Sequence, residues 1–273
     1  MNTKDKFTMS TSAEMELINE LCNYAHNKIT KNIGSATREI KNSIDLVTDI
    51  DRDIETYCIT RIRSSFPSDD IISEEYFNQK ALPKKGRYWI IDPLDGTWNF
   101  CAGIPLCAFQ IALVCDNSVL LSAIDIAYPT CGREVYIAEA GKGAFLNGHR
   151  LRVKDVQNTK QSIVAVSDVS LWDSSLVSLE LKMIEKLRPA VGVFRLFGSS
   201  AITFSYLASS RVNAYVAFNQ KNWDILPGLL IATEAGCEAL NFDGSPYTIG
   251  RQNFLLTANA SLLSEKILKS LSA

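Results

Sequence analysis

A chain of 273 residues, 47% hydrophobic and 21% charged, has the make-up of an ordinary water-soluble globular protein with length enough for a large core. With 28 Lys and Arg against 30 Asp and Glu the formal charge is −2, which leaves no basic footprint for nucleic acid. No run approaches the roughly 18 apolar residues of a membrane span, no apolar leader opens Met1 to Ser10, and the 7 cysteines are scattered without a C-x-x-C pair; a cytoplasmic protein with reduced thiols is expected.

The first predicted element is a helix over Thr11 to about Ile33, where Ile18, Leu21, Cys22, Ala25 and Ile29 recur at helical spacing. His26 beside that stripe is given no role, because metal sites need several convergent donors. Asp45-Leu46-Val47-Thr48 follows, and Thr48 with Asp51 reads as a capping pair opening a second helix whose buried face is Ile50, Ile54, Cys58 and Ile62. Asp49-x-Asp51-x-Asp53 begins like a calcium loop. It fails, because Ile54 and Thr60 stand where glycine and glutamate are needed. Ile71-Ile72-Ser73 then reads as a short strand delivering Glu74 and Glu75.

The chemistry gathers in Trp89-Ile90-Ile91-Asp92-Pro93-Leu94-Asp95-Gly96-Thr97-Trp98-Asn99-Phe100. An apolar strand end carries two carboxylates around a proline, and with the Leu94 carbonyl they can converge on one point. Hard divalent cations prefer such all-oxygen shells. Gly96 lets the backbone approach a ligand, and Thr97 offers a hydroxyl at a helix start, where N–H groups favour phosphate. A lone D-P-x-D-G is more often a turn whose aspartates cap backbone groups, so the rest of the chain must decide.

Strands are predicted over Ala108 to Cys115, Val119 to Tyr128 and Glu134 to Ala138 as an antiparallel meander, with Asp116-Asn117 as the first turn. Gly141-Lys142-Gly143-Ala144-Phe145-Leu146-Asn147-Gly148 holds an Asn-Gly hairpin signal before a strand at Leu151 to Val153. The second half alternates. Ile163 to Val166 is a strand, a helix runs through Leu181 and Ile184, and Val193 to Phe197 is a strand. Gly198-Ser199-Ser200 opens a helix, Val212 to Phe218 is a strand, and Ile225 to Ala235 is a helix with Asp224 at its start. Pro227 is placed in that helix's tolerant first turn. A strand over Cys237 to Phe242 and a helix from Ser261 end the chain.

The twelve-residue run closely resembles the metal-binding motif of the inositol monophosphatase family, magnesium-dependent and lithium-sensitive phosphatases. Three more motifs agree in order: Asp45-Leu46-Val47-Thr48, Ser73-Glu74-Glu75 where the family has G-E-E, and Trp223-Asp224-Ile225-Leu226-Pro227-Gly228 where it has W-D-x-A-A-G. The resemblance implies an α/β (mixed α+β) fold, a layered αβαβα sandwich of the inositol monophosphatase and fructose-1,6-bisphosphatase type, usually a homodimer. It implies one domain over 1–273, with lobes of about 11–153 and 154–273. It assigns Glu74, Asp92, the Leu94 carbonyl, Asp95 and Asp224 to two or three magnesium ions, Asp45 and Thr97 to the attacking water, and Glu75 to a supporting catalytic place. Gly96, Thr97, Gly198 and Ser199 are expected at the substrate. Ala217 stands where inositol-specific relatives have a glutamate, which predicts an apolar rim over Val216-Ala217-Phe218, weak inositol selectivity, and Lys221 free to favour a second anion.

Other phosphatase chemistries lack their residues. No cysteine is followed by arginine at the sixth position, the aspartates are three apart and not the two of D-x-D, and His26 and His149 are too few for a histidine nucleophile or a zinc site. The expected activity is magnesium-dependent hydrolysis of a small phosphomonoester by activated water. Fructose 1,6-bisphosphate, histidinol phosphate or a nucleotide 3′-phosphate are alternative substrates, and a non-catalytic regulatory binding protein on the same fold is the rival class.

Overall fold

In the computed structural model, which describes residues 12–42, 45–76, 82–83, 85–128, 132–167, 174–258 and 261–272, the chain forms five layers: helix, sheet, helix, sheet, helix. The first layer is α1 (Ala13–Asn32) and α2 (Asp49–Ser65). Ser12 caps α1 by accepting the Met15 amide at 3.3 Å, and Thr48 and Asp51 form the expected reciprocal cap on α2. Thr11, expected to open the first helix, lies outside the described residues. A hairpin of β1 (Arg38–Asn42) and β2 (Asp45–Thr48) leads into α2; β1 has no counterpart in the sequence reading.

Against these helices lies a sheet of β3 (Asp70–Ser73), β4 (Arg87–Asp95), β5 (Ala108–Cys115), β6 (Ser118–Tyr128), β7 (Gly132–Glu139), β8 (Gly143–Leu146) and β9 (His149–Arg150), in that order. β3 runs parallel to β4, and the rest is the expected antiparallel meander. Trp89 and Ile91 of β4 pack toward α1 and α2, while Tyr88 and Ile90 face the other way into a second core. With both faces covered, β4 and β5 read as continuous apolar runs. Asp116 and Asn117 take φ of 47° and 61°, and Asn147 and Gly148 take 48° and 80°, the backbone that two-residue hairpins need. The strand expected at Leu151 to Val153 is absent: β9 ends at Arg150, Leu151 gives one last amide to the Ala144 carbonyl at 2.8 Å, and the Val153 amide turns away to the Ala235 carbonyl at 2.9 Å.

The middle layer is α5 (Ser200–Ala208) and α6 (Asn222–Glu234), apolar nearly all round because sheets cover both sides. Gly228 of α6 meets Phe204 of α5 so closely that a Cβ there would stand 2.2 Å from the ring. Because α6 begins at Asn222, Pro227 is its sixth residue and not part of the first turn; its ring replaces the amide that would have bonded the Trp223 carbonyl.

The second sheet runs β11 (Val193–Arg195), β10 (Ile163–Val166), β12 (Ala214–Ala217), β14 (Phe254–Thr257), β13 (Glu238–Leu240), and α4 (Ser174–Leu187) with α7 (Ser261–Leu271) covers its outer face. β14, between β12 and β13, is a further strand the sequence reading lacks. One apolar cluster passes from the first sheet through α5 and α6 into the second.

Candidate active site

Residues three apart on a regular strand face opposite sides, which would separate Asp92 from Asp95. In β4, however, Asp92 pairs with Gln110 and Asp95 with Ala108, so Pro93 and Leu94 stand together opposite Phe109 alone. This bulge puts both aspartates on one face. It also accommodates Pro93, which has no N–H to give a central strand. Leu94, released from the ladder, donates its N–H to Asp92 Oδ1 at 3.1 Å and offers its carbonyl to the Thr97 hydroxyl at 3.0 Å.

Asp224 arrives as the third residue of α6, where its carboxylate accepts the Lys221 amide at 2.8 Å. One carboxylate oxygen from each of Asp92, Asp95 and Asp224 lies within 4.8 Å of the others. Asp92 is 1% exposed and Asp95 9%. Burial first, then the charges of Glu74, Asp95 and Asp224, push the Asp92 carboxyl well above the usual carboxylate range, while a hydrogen bond from Gln110 works the other way. Burial also raises Asp95, against the hydrogen bonds from Ser199, Ala201 and Ser200. Among the described residues no lysine or arginine forms an ion pair with Asp92 or Asp95, so two buried acids face each other there without a paired cation. A divalent cation with oxygen preference fits this donor set.

Asp95 sits on the N-terminus of α5. Its Oδ2 accepts the Ala201 amide at 2.7 Å and the Ser199 hydroxyl, and its Oδ1 lies 3.3 Å from the Ser200 hydroxyl. Gly198 and Ser199, expected at the substrate, line the cavity beside Asp95 and Asp224; Ser199 also ties Asp95 to the helix it caps, and the Gly198 carbonyl lies 3.4 Å from the Asn99 side-chain amide. Gly96, just before the short helix α3 (Thr97–Cys101), takes φ of +84°, and a Cβ on it would come 2.7 Å from the Leu106 carbonyl, so glycine is required there.

The Thr97 hydroxyl lies 3.5 Å from Asp51 Oδ1, whose other oxygen accepts the Thr48 amide at 2.9 Å. Asp51, read from the sequence as a cap, is therefore also the aspartate beside Thr97. Asp45, expected in that place, contributes its backbone to β2, and its side chain lies outside what the structure describes. Glu74 follows β3, its amide bonded to the Ile91 carbonyl at 3.3 Å; its charge reaches Asp92, though it is not one of the three clustered acids. The Glu75 carboxylate is felt by Arg52, and the amides of Glu75 and Tyr76 donate to buried Glu55 Oε1 at 3.0 and 3.1 Å. The sequence reading passed over Glu55, Gln110 and Ser200; the signal available was a polar side chain inside an apolar run, clearest for Gln110 in β5.

A cavity of about 140 Å³ opens beside Asp95 and Asp224, lined also by Ser167, Ser200, Tyr215 and Gln220. The apolar rim does not exist as expected: Val216, Ala217 and Phe218 are all at most 1% exposed, because β12 is roofed by the middle helices and by α4 and α7. Lys221 is exposed and is not part of the cavity wall. The Gly141 and Gly143 amides, which could have cradled a phosphate, hold the Glu234 carboxylate at 2.7 and 2.8 Å.

The model of the inositol monophosphatase family matches residues 5–273. A Thermotoga maritima protein named fructose-1,6-bisphosphatase/inositol-1-monophosphatase is 32% identical over 225 residues, covering 82% of each chain. A Vibrio cholerae protein named Nus factor SuhB is 33% identical over 223 residues, covering 81% of this chain and 82% of its own. The solved structure of a Thermotoga maritima IMPase superposes with a TM-score of 0.83 at 28% identity, covering 95% of this chain and 97% of that one. With its length matched almost throughout and its acids gathered on β4 and α6, the chain belongs to the inositol monophosphatase family, whose members are phosphatases.

Proposed function

We propose that this chain hydrolyses small phosphomonoesters at the Asp92–Asp95–Asp224 cluster with magnesium as its cofactor. The observation that carries the reading is the convergence of three carboxylates within 4.8 Å without a protein cation on Asp92 or Asp95. Glu74, Asp92 and the Leu94 carbonyl would hold one ion, and Asp92, Asp95 and Asp224 a second. Bound magnesium supplies Lewis acidity at the phosphoryl oxygens and lowers the cost of deprotonating water. The chain's own part is to orient that water and take its proton: Thr97 Oγ1 passes it toward Asp51 Oδ1, so Asp51 takes the role that the resemblance gave to Asp45. Backbone N–H groups of Gly96 and Thr97 receive the phosphate.

The leaving alcohol occupies the cavity bounded by Ser167, Tyr215 and Gln220, whose lining among the described residues holds no lysine or arginine, which favours an uncharged hydroxylated group over a second phosphate. The relatives named as inositol monophosphatases agree with this preference, whereas the fructose-1,6-bisphosphatase name of one of them denotes a substrate with a second phosphate and is why that compound is tested. A homodimer is carried over from the family and a cytoplasmic location from the scattered thiols of the sequence, and sedimentation of the purified chain tests the first.

The test is phosphate release from inositol 1-phosphate, fructose 1,6-bisphosphate and a simple phosphomonoester, with and without magnesium, for wild type and Asp92→Asn. Activity that requires magnesium and nearly vanishes in a folded Asp92→Asn variant is expected. Turnover without metal, or by the variant, would sink the reading. No turnover of any substrate would favour the binding role suggested by the relative named as a Nus factor.

A further inference from the structure

The centre of β5 holds an uncharged amide with no part in the chemistry assigned so far. Gln110 is fully buried, yet both hydrogens of its amide are committed: Nε2 donates to Asp92 Oδ2 at 3.1 Å and to Ser200 Oγ at 3.4 Å. Its carbonyl oxygen is buried without a hydrogen-bond partner, a costly state that an apolar side chain of like size would avoid. The Ser200 hydroxyl extends the connection. It stands 3.3 Å from Asp95 Oδ1 and 3.2 Å from the Asp224 main-chain carbonyl, and its single proton serves one at a time. If a cation claims that Asp95 oxygen, the hydroxyl still has an acceptor.

We propose that Gln110 and Ser200 form one positioning unit that links the Asp92 and Asp95 carboxylates across the β4 bulge and anchors the Asp224 main chain of α6 beside them, setting the three acids for a divalent cation before it arrives. Groups that hydrogen-bond a metal's ligands fix their direction and their readiness to bind. The three acids come from β4 and α6, and the amide–hydroxyl pair touches the carboxylates of Asp92 and Asp95 and the main-chain carbonyl of Asp224. The proposal rests on the metal reading above.

The experiment is calorimetric titration of magnesium alone into the full chain, as wild type, Gln110→Met, Ser200→Ala and the double variant, beside melting curves of the metal-free proteins. Each single variant is expected to weaken magnesium binding roughly 10–100-fold. The double should be within about twofold of the weaker single, because either change breaks the unit. A merely structural role would lower the metal-free melting temperature and leave affinity unchanged. Magnesium binding within about twofold of wild type in either folded single variant overturns the proposal, and so do losses that multiply in the double. Should Gln110→Met give no cooperative melt, the small Ser200→Ala change decides alone by the same criterion. Wild type that binds no magnesium refutes the metal reading itself, a result distinct from any difference among the variants.

Discussion

Glu55 offers a quantitative test of how α2 builds the site. It is 2% exposed, and its Oε1 alone takes both the Glu75 and Tyr76 amides. Hydrogen bonds to an ionised group contribute about 1.5–3 kcal/mol each, but Tyr76 is exposed and water can replace part of its bond. Glu55→Leu should therefore destabilise the metal-free protein by about 3 kcal/mol in all, a fall of roughly 6–12 °C in Tm for a chain of this size. Glu55→Gln keeps an oxygen where Oε1 stands and loses only the charge assistance, about 1 kcal/mol. Melting should be followed by circular dichroism without magnesium, since a ligand that binds only the folded state adds its own stabilisation. Repeating the melts with magnesium should widen the gap between wild type and Glu55→Leu, because the loosened turn carries Glu74. The reasoning fails if Glu55→Leu melts with wild type, or if Glu55→Gln is as damaged as Glu55→Leu.

Gly228→Ala would place a Cβ 2.2 Å from Phe204, and forcing α5 and α6 apart should cost about 1–3 kcal/mol; Phe204→Leu in the same chain should recover part of the loss in a urea melt. The Arg61 guanidinium first, and the Tyr57 hydroxyl second, hold the Glu20 carboxyl at about 2 against 4.5. A depressed carboxylate stabilises the fold above its ordinary value and loses that contribution as pH falls toward 2, so wild type and Glu20→Gln should differ near neutrality and converge in acid. Both partners are more than a third exposed, which limits the difference to about 0.5–1 kcal/mol. Thr97→Ala and Asp51→Asn should each lower kcat more than KM, and their effects should not multiply in the double variant. Independent multiplication would separate the two residues, and substitution of Asp45 by Asn in the same assay decides between the two aspartates.

The parts of this molecule legible in the sequence are those fixed by local chemistry. The turns at Asp116-Asn117 and Asn147-Gly148 follow from residues that tolerate positive φ, and the meander follows from apolar runs bounded by such turns. β14 is illegible because its four residues carry no period of their own and become a strand only between β12 and β13. At the site, residue types and motif resemblance single out Asp92, Asp95 and Asp224, but the facing of the first two depends on a register shift that only pairing with β5 reveals. Asp51 was recognisable as a cap, and it is one; its second oxygen points to another use that a capping rule does not contain. Ala217 was expected at a rim because burial of β12 depends on helices far away in the chain.

The additional residue in β4 also sets what a shorter chain would lose. Removing Pro93 would leave two aspartates two apart, still on one side of a regular strand and still opposite Gln110 and Ala108. Every negative charge of the site would survive the deletion. The single residue left between them would face Phe109 as an ordinary rung, its carbonyl spent on the sheet instead of turned toward Thr97. The shortened protein would then be a site of unchanged charge lacking one neutral oxygen. Its deficit would be in coordination number, leaving an ion that binds with one ligand position handed to solvent.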